Sequence, residues 1–311
     1  MVRLILHFSL YQNFTSILHL ISFDFLLSIY FPCSICLRFS AVPLYPEIMA
    51  SLGLTKNEIW TSALWAILGA FLSRLVTGFI CERYGARIPL AVLTVFASIP
   101  TALQGAVQNA EQLFTARFFV GIGGGSFVAS NFWLNCMFKK ELVASISGFS
   151  NGLGIAMGAC QVFILYVVFP FLVFLTGSEE IAWRASFTVI SFGALCVGLS
   201  LVFLTDDTPR GNYAKLKRTG DITPLSHWRN FYNSIRQLSV LILSIQHSLN
   251  LGIELVINNA LLLYAMEQFG LNILMAGFVA ATFPICSQFA RVLGGSLMDK
   301  AYKENGMYEV Y

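Results

Sequence analysis

Charge is what this sequence lacks. Only 11% of its 311 residues are Asp, Glu, Lys or Arg, whereas 57% are hydrophobic. A soluble domain carries about 25% charged residues. With a mean hydropathy of +0.72, the composition excludes a water-soluble globular chain and predicts a helical protein that crosses the membrane repeatedly. Histidine is scarce, at four residues, and the seven cysteines are scattered through apolar runs. No His or Cys grouping has metal-ligand spacing, so no metal site is expected. Cys33 and Cys36 have the spacing of a redox pair, but their apolar setting reads as inert packing, and no disulfide framework is expected. Nucleophile–base constellations are missing, which argues against an enzyme. Gly121-Ile-Gly-Gly-Gly125 lacks the last glycine of a dinucleotide fingerprint and reads as helix packing, so no cofactor is expected. No cleavage site follows a clean apolar stretch at the N-terminus, so no signal peptide is expected.

What is present is a short pattern that occurs twice. Arg74 is followed by Gly78, Glu82 and Arg83; Arg291 is followed at the same spacing by Gly295, Asp299 and Lys300. Each copy closes an apolar run long enough to span a bilayer. Each arginine precedes the charged end by eight residues, which is about 12 Å along a helix within a hydrocarbon core about 30 Å thick. An arginine at that depth is costly unless it faces a polar cavity or a partner. Two of them at equivalent points of two repeats suggest one central anion site. The alternative for each is a packing or ion-pair role, for instance with Glu254.

The apolar runs predict spans near 20–42, 60–81, 88–107, 113–137, 143–174 and 185–204, forming a first six-helix unit over 1–204. A polar loop follows over 205–236, and 237–311 opens a second unit with spans near 237–264 and 273–297 and a short tail. Thr55-Lys-Asn-Glu58 has the form of a capping box for the second span. The first span contains Asp24 and Arg38, and Arg38 is expected to snorkel outward. Arg83, Arg87, Lys139, Lys140, Arg210, Lys215, Lys217, Arg218, Arg229, Lys300 and Lys303 fall on one side; Glu47, Glu58, Glu111, Glu179, Glu180 and Glu267 fall on the other, where Lys56 and Arg184 are the main bases. The positive-inside rule then places both termini and the central loop in the cytoplasm, with the plasma membrane as the expected location.

Six spans, a basic loop and a second copy of the pattern match the layout of the major facilitator superfamily. Gly78, Glu82, Arg83, Gly85 and Arg87 resemble that superfamily's loop motif after the second helix; Arg117-x-x-x-Gly121-x-Gly123 resembles its fourth-helix motif. Within it, the chain resembles the nitrate/nitrite porter family over residues 41 to 300. The resemblance is carried by Ala41-Val-Pro-Leu44, Leu72-Ser-Arg74-Leu-Val-Thr-Gly78, Arg117-Phe-Phe-Val-Gly121, Ser126-Phe-Val-Ala-Ser130, Trp133, Trp183-Arg184, Asp207-Thr-Pro-Arg-Gly-Asn212, Gly252-Ile-Glu-Leu255 and Phe289-Ala-Arg291.

The resemblance implies an all-α membrane protein and a nitrate or nitrite carrier working by alternating access. It places the anion between Arg74 and Arg291, where planar guanidinium forks suit a planar oxyanion. In the fifth span, Gly148, Gly152, Gly154 and Gly158 match the family's glycine-rich signature and read as helix packing. Leu153 and Ile155 stand where the family has tryptophan and asparagine, and Ile155 cannot donate a hydrogen bond. Asn151, one turn earlier, either replaces that amide or cross-links helices. Phe132 either stacks on the anion or packs. Asn258 and Asn259 either line the cavity or cross-link helices. Glu254 is either a proton-coupling group or, as favoured here, a fixed partner for an arginine. Nitrate versus nitrite, and proton symport versus anion exchange, stay open. The layout reads as a porter truncated after the eighth helix, so the chain as written is expected not to transport alone. It would then be a fragment, a partner of longer porters, or a carrier completed by another subunit. A porter of another small anion is the remaining alternative, on the strength of Ile155.

Overall fold

The computed structural model describes residues 36–137, 145–148, 160–205, 207–208, 213, 216–217, 232–233 and 235–305. Most of the expected first span, and Asn151, Gly152, Leu153, Gly154, Ile155 and Gly158, lie outside the described residues, as does most of the central loop. The elements found among the described residues are all helices. The α-helices of eight residues or more are α1 (Tyr45–Leu52), α2 (Lys56–Tyr84), α3 (Arg87–Gln104), α4 (Ala110–Ile122), α5 (Ser126–Met137), α6 (Phe169–Thr176), α7 (Glu179–Leu204), α8 (Leu238–Phe269) and α9 (Ile273–Asn305). Six helical runs are long and apolar enough to cross a membrane, with α4 and α5 forming a single run. Helix α2 begins four residues before its apolar run is expected to, because Thr55 and Glu58 make a reciprocal capping box that satisfies the first free amides.

Lipid is as apolar as leucine, so helices in a bilayer associate through close packing of small residues rather than by hiding oily ones. Helix α2 is built this way. Ala63, Ala66, Ala70, Ser73 and Thr77 are buried along one face at alternating steps of three and four, while Leu64, Leu68, Phe71, Leu72 and Leu75 are exposed on the others. Helix α2 packs on α4, and α3 packs on α7. At the first crossing Gly69 lies against the backbone carbonyl of Phe118, and Gly121 against that of Ala66.

Between α4 and α5 the chain tightens into a 3-10 turn, Gly123–Gly125. All three glycines are buried. A Cβ would stand 2.6 Å from the Ala97 Cβ at Gly123, 2.7 Å from the Ala70 Cβ at Gly124 and 2.5 Å from the Thr77 hydroxyl at Gly125. This is the close packing that the sequence implied.

The end of α2 is tied down by the loop motif. Gly85 has φ +89°, and a Cβ there would lie 2.9 Å from Asp207 Oδ1. That oxygen accepts from the Arg87 backbone amide at 3.0 Å. The Arg87 guanidinium donates to the Thr205 carbonyl, and Lys217 Nζ donates to the Glu82 carbonyl at 2.9 Å. The loop motif therefore docks on the segment that follows α7.

Helices α8 and α9 pack on each other through Leu262, Ala265, Ala276 and Ala280. Two seams join them to the first unit. In one, Tyr45 and Ile48 meet Leu255 and Leu263, and Lys56 pairs with Glu267 at 2.6 Å. In the other, Gly148 would place a Cβ 2.7 Å from the Arg291 carbonyl, the Ser145 amide donates to Asp299 Oδ2 at 2.8 Å, and the Tyr166 hydroxyl donates to the Leu274 carbonyl at 2.8 Å.

Two expectations are corrected. Cys36 and Cys160, with Cα atoms 5.7 Å apart, are joined as a disulfide across 124 residues of sequence; such a pairing needs tertiary contact and leaves no trace in spacing. Arg38 does not snorkel outward. It turns into the bundle toward Gly124, whose missing side chain leaves room for the guanidinium.

Overpacking a tight core costs about 1–3 kcal/mol. Gly69→Ala and Gly121→Ala should each cost that much stability or more, read as a lower unfolding midpoint in detergent, because rigid backbone faces the new methyl. Gly78→Ala, whose Cβ would meet only Val128 Cγ1 at 4.0 Å, should hold or raise it. Asp207→Ala should release the loop motif, detected as faster amide exchange at residues 85–87 and a loss of about 1–3 kcal/mol. Unchanged exchange would show that the dock rests on other contacts.

Candidate anion site

Arg74 stands eighteen residues into α2 and ten from its end, roughly 27 Å and 15 Å along the axis. It is half-buried. Its Nε donates to the Gly124 carbonyl at 3.3 Å, and its guanidinium lies 5.2 Å from the centre of the Phe127 ring. Among the described residues Arg74 has no carboxylate partner. A ring face compensates a cation by roughly 0.5–2 kcal/mol, which leaves most of the charge unmatched. Phe127 in turn stacks on His247 of α8 at 6.5 Å, so the aromatic under Arg74 also reaches the second unit.

Arg117 is 2% exposed and is spent on structure. Its guanidinium donates to the Arg38 carbonyl at 3.0 Å and to the Tyr45 hydroxyl. Tyr45 passes the chain on, donating to Asn259 Oδ1 at 3.3 Å, while Asn259 Nδ2 donates to the Leu255 carbonyl at 2.7 Å. One polar relay thus links α4, α1 and α8, and Asn259 belongs to it. Asn258 beside it is 2% exposed, and neither of its amide atoms has a hydrogen-bond partner among the described residues. A buried amide is ordinarily satisfied by protein or water, and Gln104 is unpartnered in the same way.

Arg291 differs from Arg74. Its guanidinium pairs with Glu254, whose side chain is 8% exposed, and the Ser287 hydroxyl donates to the same carboxylate at 3.4 Å. The two arginines of the repeated pattern are therefore unequal: one carries a matched charge, the other does not.

Other sequence candidates fall elsewhere. Phe132 meets Tyr213 edge-on at 5.6 Å and packs on the cluster around Cys81 and Trp133, while the ring at the arginine is Phe127. Burial, helped by Cys136 and Glu82, pushes the Tyr213 phenol above its ordinary range. Gly78, Glu82, Arg83, Gly85 and Arg87 surround the end of α2; Gly295, Asp299 and Lys300 lie toward the end of α9. Sequence reasoning did not single out Phe127 or Tyr45, and it read Arg38 as snorkelling outward and Gly124 as helix packing alone. Phe127 lies inside a stretch that carried the family resemblance, so its position was visible although its partner was not.

Residues 27–308 match the Major Facilitator Superfamily. High-affinity nitrate transporter 2.3 of Oryza sativa subsp. japonica is 28% identical over 93% of this chain and 56% of its own length. High affinity nitrate transporter 2.5 of Arabidopsis thaliana is 27% identical over 89% of this chain and 55% of its own. Nitrate/nitrite transporter NrtP of Nostoc punctiforme is 23% identical over 84% of this chain and 66% of its own. The chain thus spans little more than half the length of the plant relatives it matches. Among solved structures, a bacterial homolog of the human lysosomal transporter Spinster, inward-facing and unoccupied, superposes with a TM-score of 0.55 at 18% identity, covering 90% of this chain and 63% of the other. The fold, the apolar spans and the sequence match agree: this multi-pass membrane protein belongs to the Major Facilitator Superfamily, and the curated relatives it matches there are named as nitrate or nitrite transporters.

Proposed function

We propose that the chain carries the anion-binding machinery of a nitrate or nitrite porter, with the anion held between Arg74 and Arg291 and moved by alternating access. The observation that carries this reading is Arg74 itself: a half-buried guanidinium deep in a spanning helix, with no carboxylate partner among the described residues. Such a charge is retained at a cost, and a planar oxyanion is the ligand its paired donors fit.

Glu254 completes the reading. Two facing guanidinium groups would repel one another when the site is empty. The carboxylate of Glu254 offsets the charge of Arg291 in that state, so an arriving monoanion has chiefly Arg74 to neutralise, and it competes with Glu254 for the Arg291 fork. The unpartnered amide of Asn258 is a further donor for the bound anion. The two loop motifs act as conformational latches, Asp207 at the end of α2 and Asp299 against Ser145. In the cell the chain lies in the plasma membrane with its basic loops and both termini in the cytoplasm, which the distribution of Lys and Arg supports.

Equilibrium nitrate binding by the chain in lipid nanodiscs tests this. Arg74→Lys keeps the charge but loses the fork, and should weaken affinity at least tenfold, about 1.4 kcal/mol. An effect within twofold would mean that Arg74 does not grip the anion. Arg291→Lys should behave alike, and the double substitution should fall far short of additive, because both residues contact one ion. Glu254→Gln should lower stability without nitrate, and added nitrate should raise the unfolding midpoint of this variant more than that of the unsubstituted chain. Equal shifts would separate Glu254 from the anion.

A further inference from the structure

We propose that Arg38 is a third guanidinium of the anion site and sets its preference for the charge of the oxyanion. This inference rests on the anion-porter reading of Arg74. Gly124 stands at the middle of the spanning run Ala110–Met137, and two arginines converge on it. Arg74 donates to its carbonyl at 3.3 Å. Arg38 occupies the space of its missing side chain, where a Cβ would come within 3.0 Å of Arg38 Nη1. Both guanidinium groups therefore meet the same glycine, at mid-membrane depth.

The position of Arg38 is built. Its helical turn, residues 36–39, ends at once in a turn and a 3-10 segment, Val42–Leu44. The Arg38 carbonyl accepts from Arg117, which is almost fully buried, and the neighbouring Leu37 and Phe39 are packed at 1% and 3% exposure. Its backbone is thus clamped while its side chain stays half-buried. Among the described residues Arg38 has no carboxylate partner; its contact is the Phe39 ring at 5.6 Å. Among the described residues, the charges that act on it are those of Arg74 and Arg117, both of its own sign.

Three like charges in a low-dielectric interior repel strongly, and one monoanion neutralises only one of them. Arg117 is committed to the relay through Tyr45, so Arg38 and Arg74 are the two whose charge faces a ligand. Arg38 therefore adds its charge to the site that Arg74 and Arg291 form. The surplus positive charge should favour an oxyanion of higher charge relative to nitrate, and removing Arg38 should tilt the site back toward a monoanion.

The experiment is direct titration of the 311-residue chain in nanodiscs with nitrate and, separately, with sulfate, for the unsubstituted chain and for Arg38→Gln, Arg38→Lys and Arg74→Gln. Arg38→Gln should weaken nitrate binding at least tenfold and sulfate binding at least a hundredfold, so that the ratio of the two affinities shifts at least tenfold toward nitrate. Arg38→Lys, which preserves the charge and guards against misfolding as the cause, should keep that ratio within about threefold of the unsubstituted value. A purely structural role for Arg38 would weaken both anions alike, and an unchanged ratio would overturn the proposal. Binding of both anions within twofold of the unsubstituted chain in Arg38→Gln, with loss in Arg74→Gln, would also overturn it while leaving the anion-site reading intact. No effect from either substitution, or no binding by the unsubstituted chain, would sink both.

Discussion

The contact between helix backbone and guanidinium at Gly124 is the constraint from which the rest of the structure follows. A positive charge at mid-membrane is tolerated only where protein, not lipid, surrounds it. Gly124 supplies the carbonyl for Arg74 and, by lacking a side chain, the space for Arg38. Any larger residue would also strike Ala70 on α2. The glycines on either side carry the same burden against α2 and α3, so the charged centre exists because three helices approach closer than side chains would normally permit. The small-residue face of α2 and the 3-10 turn between α4 and α5 are two halves of one arrangement.

Charge compensation is organised differently in the two units. In α8 and α9 it is internal: Glu254 holds Arg291. In the first unit Arg184 pairs with Glu180, but three other arginines have no such partner among the described residues. Arg117 is satisfied by a carbonyl and a phenol, Arg74 by a carbonyl and a ring, and Arg38 by a ring, with no carboxylate paired to any of them among the described residues. Hydrogen bonds to neutral oxygens position a guanidinium without cancelling its charge.

The seams between the units combine a few polar contacts with apolar packing of Tyr45 and Ile48 on Leu255 and Leu263. Tyr45 joins Arg117 to Asn259, Lys56 meets Glu267, and Asp299 accepts from the Ser145 amide. Of these only the Lys56–Glu267 pair is exposed to solvent; Tyr45, Arg117, Asn259 and Asp299 are buried.

The scarcity of charge and the length of the apolar runs already determined an all-helical, multi-pass membrane fold, because the bilayer leaves few other ways to satisfy a backbone. The repeated Arg–Gly–acid–base spacing singled out Arg74 and Arg291 for the same reason: a charge deep in an apolar run stands out against its neighbours. The capping box at Thr55 and Glu58 was legible because it is local. Only the tertiary structure decided that Arg291 is matched by Glu254 while Arg74 is not, that the ring at Arg74 is Phe127 rather than Phe132, that Cys36 meets Cys160, and that Arg38 faces inward. Each of these depends on which faces of distant helices touch. A sequence displays the depth of a residue along its own helix, but the direction in which it points within the bundle is set by the glycine contacts that bring the helices together.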